Sequence, residues 1–133
     1  MKNVLFVSLI VILALVIAAC GIKKGANKGD SNYLSIPAKE AKELMDSEAD
    51  YIILDVRAQE EYDQGHIPKA IVIPHTEIET EAKDKLPDKD QLILVYCRTG
   101  RRSKIAAQSL AKMGYTNIKE FGGITDWPYD LEK

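Results

Sequence analysis

Apolar residues fall along this chain in short runs separated by longer amphipathic stretches, and that alternation marks an α/β sheet built from parallel strands. The run from Val4 to Ala19 is apolar apart from Ser8 and stands apart from the rest. From residue 33 onward the pattern is that of a folded domain. Tyr33 to Ile36 reads as a short first strand. Pro37 then opens a helix in which Ala38, Ala41, Leu44 and Met45 recur at three- and four-residue spacing, with Lys39, Glu40, Lys42 and Glu43 on the wet face. Tyr51 to Val56 (YIILDV) is almost continuously aliphatic, as a strand covered on both faces should be. A short helix over Ala58 to Gln64 stops at Gly65, and Ala70 to Ile73 is a further short strand closed by Pro74. A helical segment follows around Glu77 to Lys85.

Leu92 to Tyr96 (LILVY) is the most hydrophobic strand after the first run, so it belongs at the centre of the sheet, and it leads straight into Cys97. From Ser103 the residues Ile105, Ala106, Ser109, Leu110 and Met113 keep helical spacing, and Gly114 suits the left-handed position that ends a helix. Ile118 to Phe121 is the last short strand. There is no internal repeat and no low-complexity segment. The expected architecture is a small parallel sheet of about five strands with helices on both faces.

Composition narrows this picture. The chain has 133 residues, 46% hydrophobic and 29% charged, with a formal net charge of -2. Those values exclude disorder and give no electrostatic basis for capturing nucleic acid. Two folded domains would leave neither with a core, so residues 33–133 form one. Cys20 ends an apolar run and Cys97 ends a predicted strand, settings too different for a shared disulfide or metal framework.

Lys2 followed by the apolar run has the layout of an export signal. Ile17-Ala18-Ala19-Cys20 resembles the lipobox of bacterial lipoproteins. That resemblance implies that residues 1–19 are a cleaved lipoprotein signal peptide and that Cys20 is diacylated on sulfur, holding the domain on the cell membrane outside the cytoplasm. An uncleaved anchor is the alternative, since Val4 to Ile22 gives about 19 tolerably apolar residues, near the lower limit of the roughly 17 to 25 that span a bilayer. Residues 21–32 (GIKKGANKGDSN) have almost nothing to bury and read as a flexible tether.

The chemistry concentrates in Cys97-Arg98-Thr99-Gly100-Arg101-Arg102-Ser103, between the central strand and a helix. Ligands of open α/β sheets bind beyond the carboxyl ends of strands, where this loop lies. A loop curling around its own cysteine aims backbone N–H groups at the sulfur, and the helix terminus and three arginines add positive potential. All of these favour the nucleophilic thiolate. A cysteine after a strand is commonly a buried core thiol. Here the next six residues are polar, basic or glycine, so an exposed, reactive sulfur is expected instead.

At this point the chain resembles the rhodanese family over almost the whole folded region. Asp55-Val56-Arg57 with Glu61-Tyr62 is similar to that family's D-x-R-x-x-x-E-[YF] element. His66-Ile67-Pro68 with Ala70 and Pro74 is similar to its G-H-I-P-G-A-x-x-I-P segment, with Lys69 where the family often has glycine. Cys97 to Ser103 resembles its C-x-x-G-x-R-S active loop, and Gly122-Gly123-Ile124 with Trp127 its closing G-G-x-x-x-W motif. The resemblance implies a rhodanese-like fold and a sulfurtransferase in which Cys97 takes a sulfane sulfur from an anionic donor such as thiosulfate, without metal or cofactor, and passes it to a thiol, a protein acceptor or cyanide. It implies that the backbone of Arg98, Thr99, Gly100, Arg101 and Arg102 holds the outer persulfide sulfur, with the Thr99 and Ser103 hydroxyls as further donors. Asp55, Arg57 and Glu61 are expected to support the site by pairing among themselves. His66 is expected to satisfy backbone groups in its turn, His75 to lie on the surface and Trp127 to cap the core.

Three other functions compete. A phosphatase of the type that shares this fold uses Cys-x5-Arg, whereas Ser103 holds that arginine's position here. A non-catalytic interaction module would not require Cys97. A carrier dedicated to one partner would use the same cysteine.

Overall fold

The structure, a computed structural model, describes residues 32–133. Residues 1–31, on which the expected export signal, Cys20 and nearly all of the expected tether fall, lie outside the described residues. The strands are β1 (Leu34–Ser35), β2 (Tyr51–Asp55), β3 (Ile71–Val72), β4 (Leu92–Cys97) and β5 (Ile118–Gly123). The helices are α1 (Ala38–Ser47), α2 (Gln59–Gln64), α3 (Ile78–Lys85) and α4 (Arg101–Lys112). All strand pairs are parallel, in the order β1-β5-β4-β2-β3, which places β4 at the centre.

Every residue of β4 is buried, and its alternation splits the core in two. Ile93, Val95 and Cys97 share one cluster with Ile78 and Ala82 of α3 and Ala106, Ala107 and Leu110 of α4. Leu92, Leu94 and Tyr96 share the other with Ala41 of α1, Ile67, Phe121 and Trp127. This is the expected parallel sheet with helices on both faces.

The differences from expectation lie at element ends. β1 and β3 are two residues each, because edge strands have a neighbour on one side only. The segment near residue 77 begins as a 3-10 turn over His75–Glu77 before α3 starts. The helix expected from Ser103 begins two residues earlier at Arg101, because Gly100 at φ 107° turns the chain into it. β5 runs on to Gly123, whose Cα pairs with that of Cys97 after an irregularity between Val95 and Cys97. Lys69 adopts φ 69°, so the turn keeps a left-handed residue although its side chain is not glycine's.

Candidate active site

The parallel arrangement brings the carboxyl ends of β2, β4 and β5 to one edge of the sheet, and there the loop after β4 folds back over Cys97. The Gly100 N–H donates to Cys97 Sγ at 3.0 Å. Gly100 and the start of α4 hold this geometry, and the helix terminus points its partial positive charge at the sulfur. Gly123 fixes the loop from below. A Cβ there would lie 2.0 Å from the Arg98 carbonyl oxygen and 2.7 Å from Thr99 Cα, so only glycine lets β5 pass beneath the loop. The Thr125 hydroxyl donates to that same Arg98 carbonyl at 3.0 Å.

The expectation of an exposed thiol is corrected: Cys97 is only 1% exposed. Its polar neighbours do not expose it, because the loop turns its amides inward over the sulfur while Arg98, Thr99 and Arg101 send their side chains to solvent. Burial pushes the thiol up in pKa. The Ser103 hydroxyl and the backbone N–H groups of Ser103, Gly100 and Thr99 pull it down and prevail, leaving it below an ordinary cysteine.

The remaining loop residues divide sharply. Arg98, Thr99 and Arg101 are exposed, while Gly100 and Ser103 are buried. Arg102 is held by a forked pair of bonds to Glu61, Nη1 to Oε2 at 2.7 Å and Nη2 to Oε1 at 2.9 Å. The loop's cationic character therefore comes from Arg98 and Arg101, the third charge being neutralised. The same Glu61 carboxylate accepts the Ala58 N–H at 3.0 Å and so caps α2. Arg102 first, with the Ala58 N–H assisting against the cost of burial, holds the Glu61 carboxyl down at about 2.

Glu61 thus supports the loop rather than Arg57, with which it was expected to pair. Arg57 pairs with Asp55, the other partner expected of it, its Nη2 lying 2.6 Å from Oδ2. Asp55 is fully buried and also accepts the Tyr96 hydroxyl at 2.7 Å. The Tyr96 oxygen accepts the Ile67 N–H at 3.1 Å, and Arg57 donates to the Gly65 carbonyl at 2.7 Å. Asp55, Arg57 and Tyr96 therefore tie the ends of β2, α2 and β4 to the turn at residues 65–67, and none of their side chains hydrogen-bonds the Cys97 sulfur.

His66 stacks on Tyr62 with ring centroids 3.8 Å apart and places Nδ1 3.0 Å from the Tyr62 carbonyl, a turn-closing role. His75 is half-buried rather than on the open surface, and burial, with Arg102 and Arg101 beside it, lowers its pKa. Trp127 is buried against Phe121. A cavity of about 410 Å³ opens beside the loop, lined by Arg57, Glu61, Arg98, Ile124, Thr125 and Leu131 among others.

Glu120 is the residue that sequence reasoning missed. It is 2% exposed, and its Oε1 lies 2.7 Å from Ser103 Oγ and accepts the Gly122 N–H at 2.7 Å. Ser35 donates to its Oε2 at 2.9 Å. The available signal was an acidic side chain on the same face as Ile118 in a strand whose other residues are largely apolar or glycine. Ser103, expected to donate to the bound sulfur, has its hydroxyl engaged by Glu120 and by the Gly100 carbonyl at 2.9 Å.

Comparison with known proteins places residues 37–129 on the family described as "Rhodanese-like domain". The chain is 38% identical over 110 residues to YrkF of Bacillus subtilis (strain 168), provisionally named a sulfur carrier protein, covering 80% of this chain and 58% of that one. It therefore spans little more than half of that relative's length. It is 41% identical over 73 residues to the thiosulfate sulfurtransferase PspE of Escherichia coli (strain K12), covering 55% of this chain and 70% of PspE. Among solved structures, an E. coli rhodanese with anions aligns at a TM-score of 0.59 and 37% identity, over 62% of this chain and 98% of its own. A thiosulfate sulfurtransferase from Pseudomonas aeruginosa aligns at 0.69 and 30%, over 77% of this chain and 21% of its own.

Proposed function

The chain belongs to the rhodanese-like domain family, and from that premise we propose that it is a sulfurtransferase with Cys97 as the sulfur-carrying nucleophile. The observation that carries this reading is the Gly100 N–H on Cys97 Sγ at the start of α4, within a loop whose amides turn toward the sulfur. In the first half-reaction the Cys97 thiolate attacks the outer sulfur of thiosulfate. A new S–S bond forms, the donor's S–S bond breaks, and sulfite departs with the bonding pair. In the second, an acceptor thiolate or cyanide attacks the outer sulfur of the persulfide and Cys97 leaves as thiolate. The backbone N–H groups that favour the thiolate also suit the anionic persulfide, and a covalent intermediate implies ping-pong kinetics.

Arg98 and Arg101 are the exposed cations flanking the loop and would draw an anionic donor toward it. Relatives named for thiosulfate sulfur transfer and for sulfur carriage both favour this class of chemistry. The phosphatase alternative is disfavoured by the commitment of Arg102 to Glu61, which leaves it unavailable to clamp a phosphate.

Intact mass spectrometry after exposure to thiosulfate tests the proposal. A gain of about 32 Da is expected on Cys97, with none on Cys97→Ser, and thiosulfate:cyanide transfer is expected to vanish in that variant. A full-length protein that acquires no sulfur, while keeping its fold, would leave an interaction module as the surviving reading.

We also propose that Cys20 carries the lipid that anchors the domain on the outer side of the cell membrane, a reading supported by the Ile17-Ala18-Ala19-Cys20 sequence.

A further inference from the structure

We propose that Glu120 is a positioning residue for the nucleophile, taking up through Ser103 the proton that Cys97 releases and returning it when the sulfur needs it. This rests on the sulfurtransferase reading only in naming what the nucleophile is for. The geometry is a buried line of three groups, with Cys97 Sγ 3.5 Å from Ser103 Oγ and Ser103 Oγ 2.7 Å from Glu120 Oε1. Their residues are 1%, 0% and 2% exposed.

Ser103 has a single hydroxyl hydrogen and several claimants for it: Glu120 Oε1 at 2.7 Å, the Gly100 carbonyl at 2.9 Å, the Gly122 carbonyl at 3.4 Å and Cys97 Sγ at 3.5 Å. The carboxylate is both the nearest and the only full charge among the oxygens, so it holds the hydrogen at rest. Ser103 then shows Cys97 a lone pair, which suits an S–H donor. A thiolate requires the opposite arrangement, with the Ser103 O–H turned toward sulfur.

One step satisfies both states. The S–H bond of Cys97 breaks as a new bond to Ser103 Oγ forms, and the original Oγ–H bond breaks as a proton reaches Glu120 Oε1. The number of protons is unchanged, and the single negative charge moves from carboxylate to sulfur. Without the transfer, ionised Cys97 and ionised Glu120 would stand as two anions in one dry pocket, which is strongly disfavoured. Nothing else neutralises Glu120, because among the described residues no Lys, Arg or His side chain pairs with it; Ser35 and Gly122 are neutral donors.

The other titratable groups around the line are spread over several elements. Arg102 of α4 acts on Cys97 and is bound by Glu61 of α2, Asp55 of β2 acts on Arg102, His75 lies beside Arg102, and Tyr33 ahead of β1 feels the Glu120 charge.

The test is the pH dependence of Cys97 alkylation by iodoacetamide in the full chain, read on the Cys97 peptide by mass spectrometry so that Cys20 does not contribute. A coupled pair titrates in two macroscopic steps. The wild type is therefore expected to show two rises separated by a plateau. Glu120→Gln is expected to show a single rise, below which the rate falls about tenfold per pH unit. Circular dichroism at each pH establishes that the fold persists. If E120Q does not fold, Ser103→Ala replaces it, since it severs the same link and is also expected to give one rise. A single rise in the wild type, or a plateau that survives in the variant, overturns the proposal. Alkylation uses no sulfur donor, so the two readings fail separately. Two rises without sulfur transfer would remove the enzyme and keep the relay; transfer with one rise would do the reverse.

Discussion

Lys69 sits at φ 69° between Pro68 and Ala70, where a Cβ crowds the following carbonyl at a cost of roughly 1 to 2 kcal/mol. The surroundings hold it there. Its N–H donates to Glu132 Oε1 at 3.1 Å, and the Ala70 N–H closes the turn on the Ile67 carbonyl at 3.0 Å. The turn matters because the Ile67 N–H is the donor that the Tyr96 hydroxyl receives, so its position is coupled to Asp55 and the end of β4. Lys69→Gly should relieve the backbone strain while adding freedom to the unfolded chain, a partial offset of roughly 0.5 to 1 kcal/mol. The expected net effect is a gain of about 0.5 to 1 kcal/mol in stability, measured by urea unfolding of both proteins. A loss would mean that the lysine side chain contributes more than its backbone costs.

At the scale of elements, the contact that most directly shapes the loop joins helices far apart in sequence. Glu61 caps α2 and grips Arg102 in the first turn of α4, with 30% and 21% of the two side chains exposed. The folded Glu61 carboxyl, held down at about 2, lies below its ordinary 4.5. Its contribution to stability is therefore complete above about pH 4.5 and disappears as pH falls toward 2. Glu61→Gln should cost about 1 kcal/mol at pH 7, a figure reduced for solvent screening. The gap between the variant and the wild type should close as the pH of the unfolding experiment is lowered from 5 to about 2. A gap unchanged across that range would show that the charge of Glu61 on Arg102 is not what stabilises this contact.

The same elements show what a sequence can disclose. Hydrophobic periodicity located all five strands and the four helices, because burial on a given face repeats at a fixed interval. The cradle around Cys97 was legible in outline, since glycine and a helix start follow the cysteine directly. Glu120 was not, for its partner Ser103 stands 17 residues away and the pairing exists only once β5 passes under α4. The choice of Arg102 over Arg57 by Glu61, across 41 residues, is likewise decided by packing. The burial of Cys97 escaped for the same reason: polar neighbours predict exposure only if their side chains, and not their amides, surround the sulfur.

Across the whole molecule, charge is distributed unlike its sum. The chain carries 18 basic and 20 acidic residues, yet the edge of the sheet where Cys97 lies presents Arg98 and Arg101 to solvent. The sheet order makes this edge, because parallel strands place all their carboxyl ends together. A divalent anion approaching it meets two unpaired cations before it meets the overall negative charge, and the attraction acts over about 10 Å at 0.1 M salt. Capture of thiosulfate should therefore weaken as salt rises, lowering kcat/KM, whereas the buried amide cradle, shielded from ions, should leave kcat nearly constant. Arg101→Ala should lower kcat/KM several-fold at low ionic strength and flatten its dependence on salt, with the two proteins converging near 1 M, where the screening length falls to about 3 Å. If kcat fell instead and the salt dependence stayed steep, Arg101 would belong to the chemical step, and steering of the donor by this edge would be wrong.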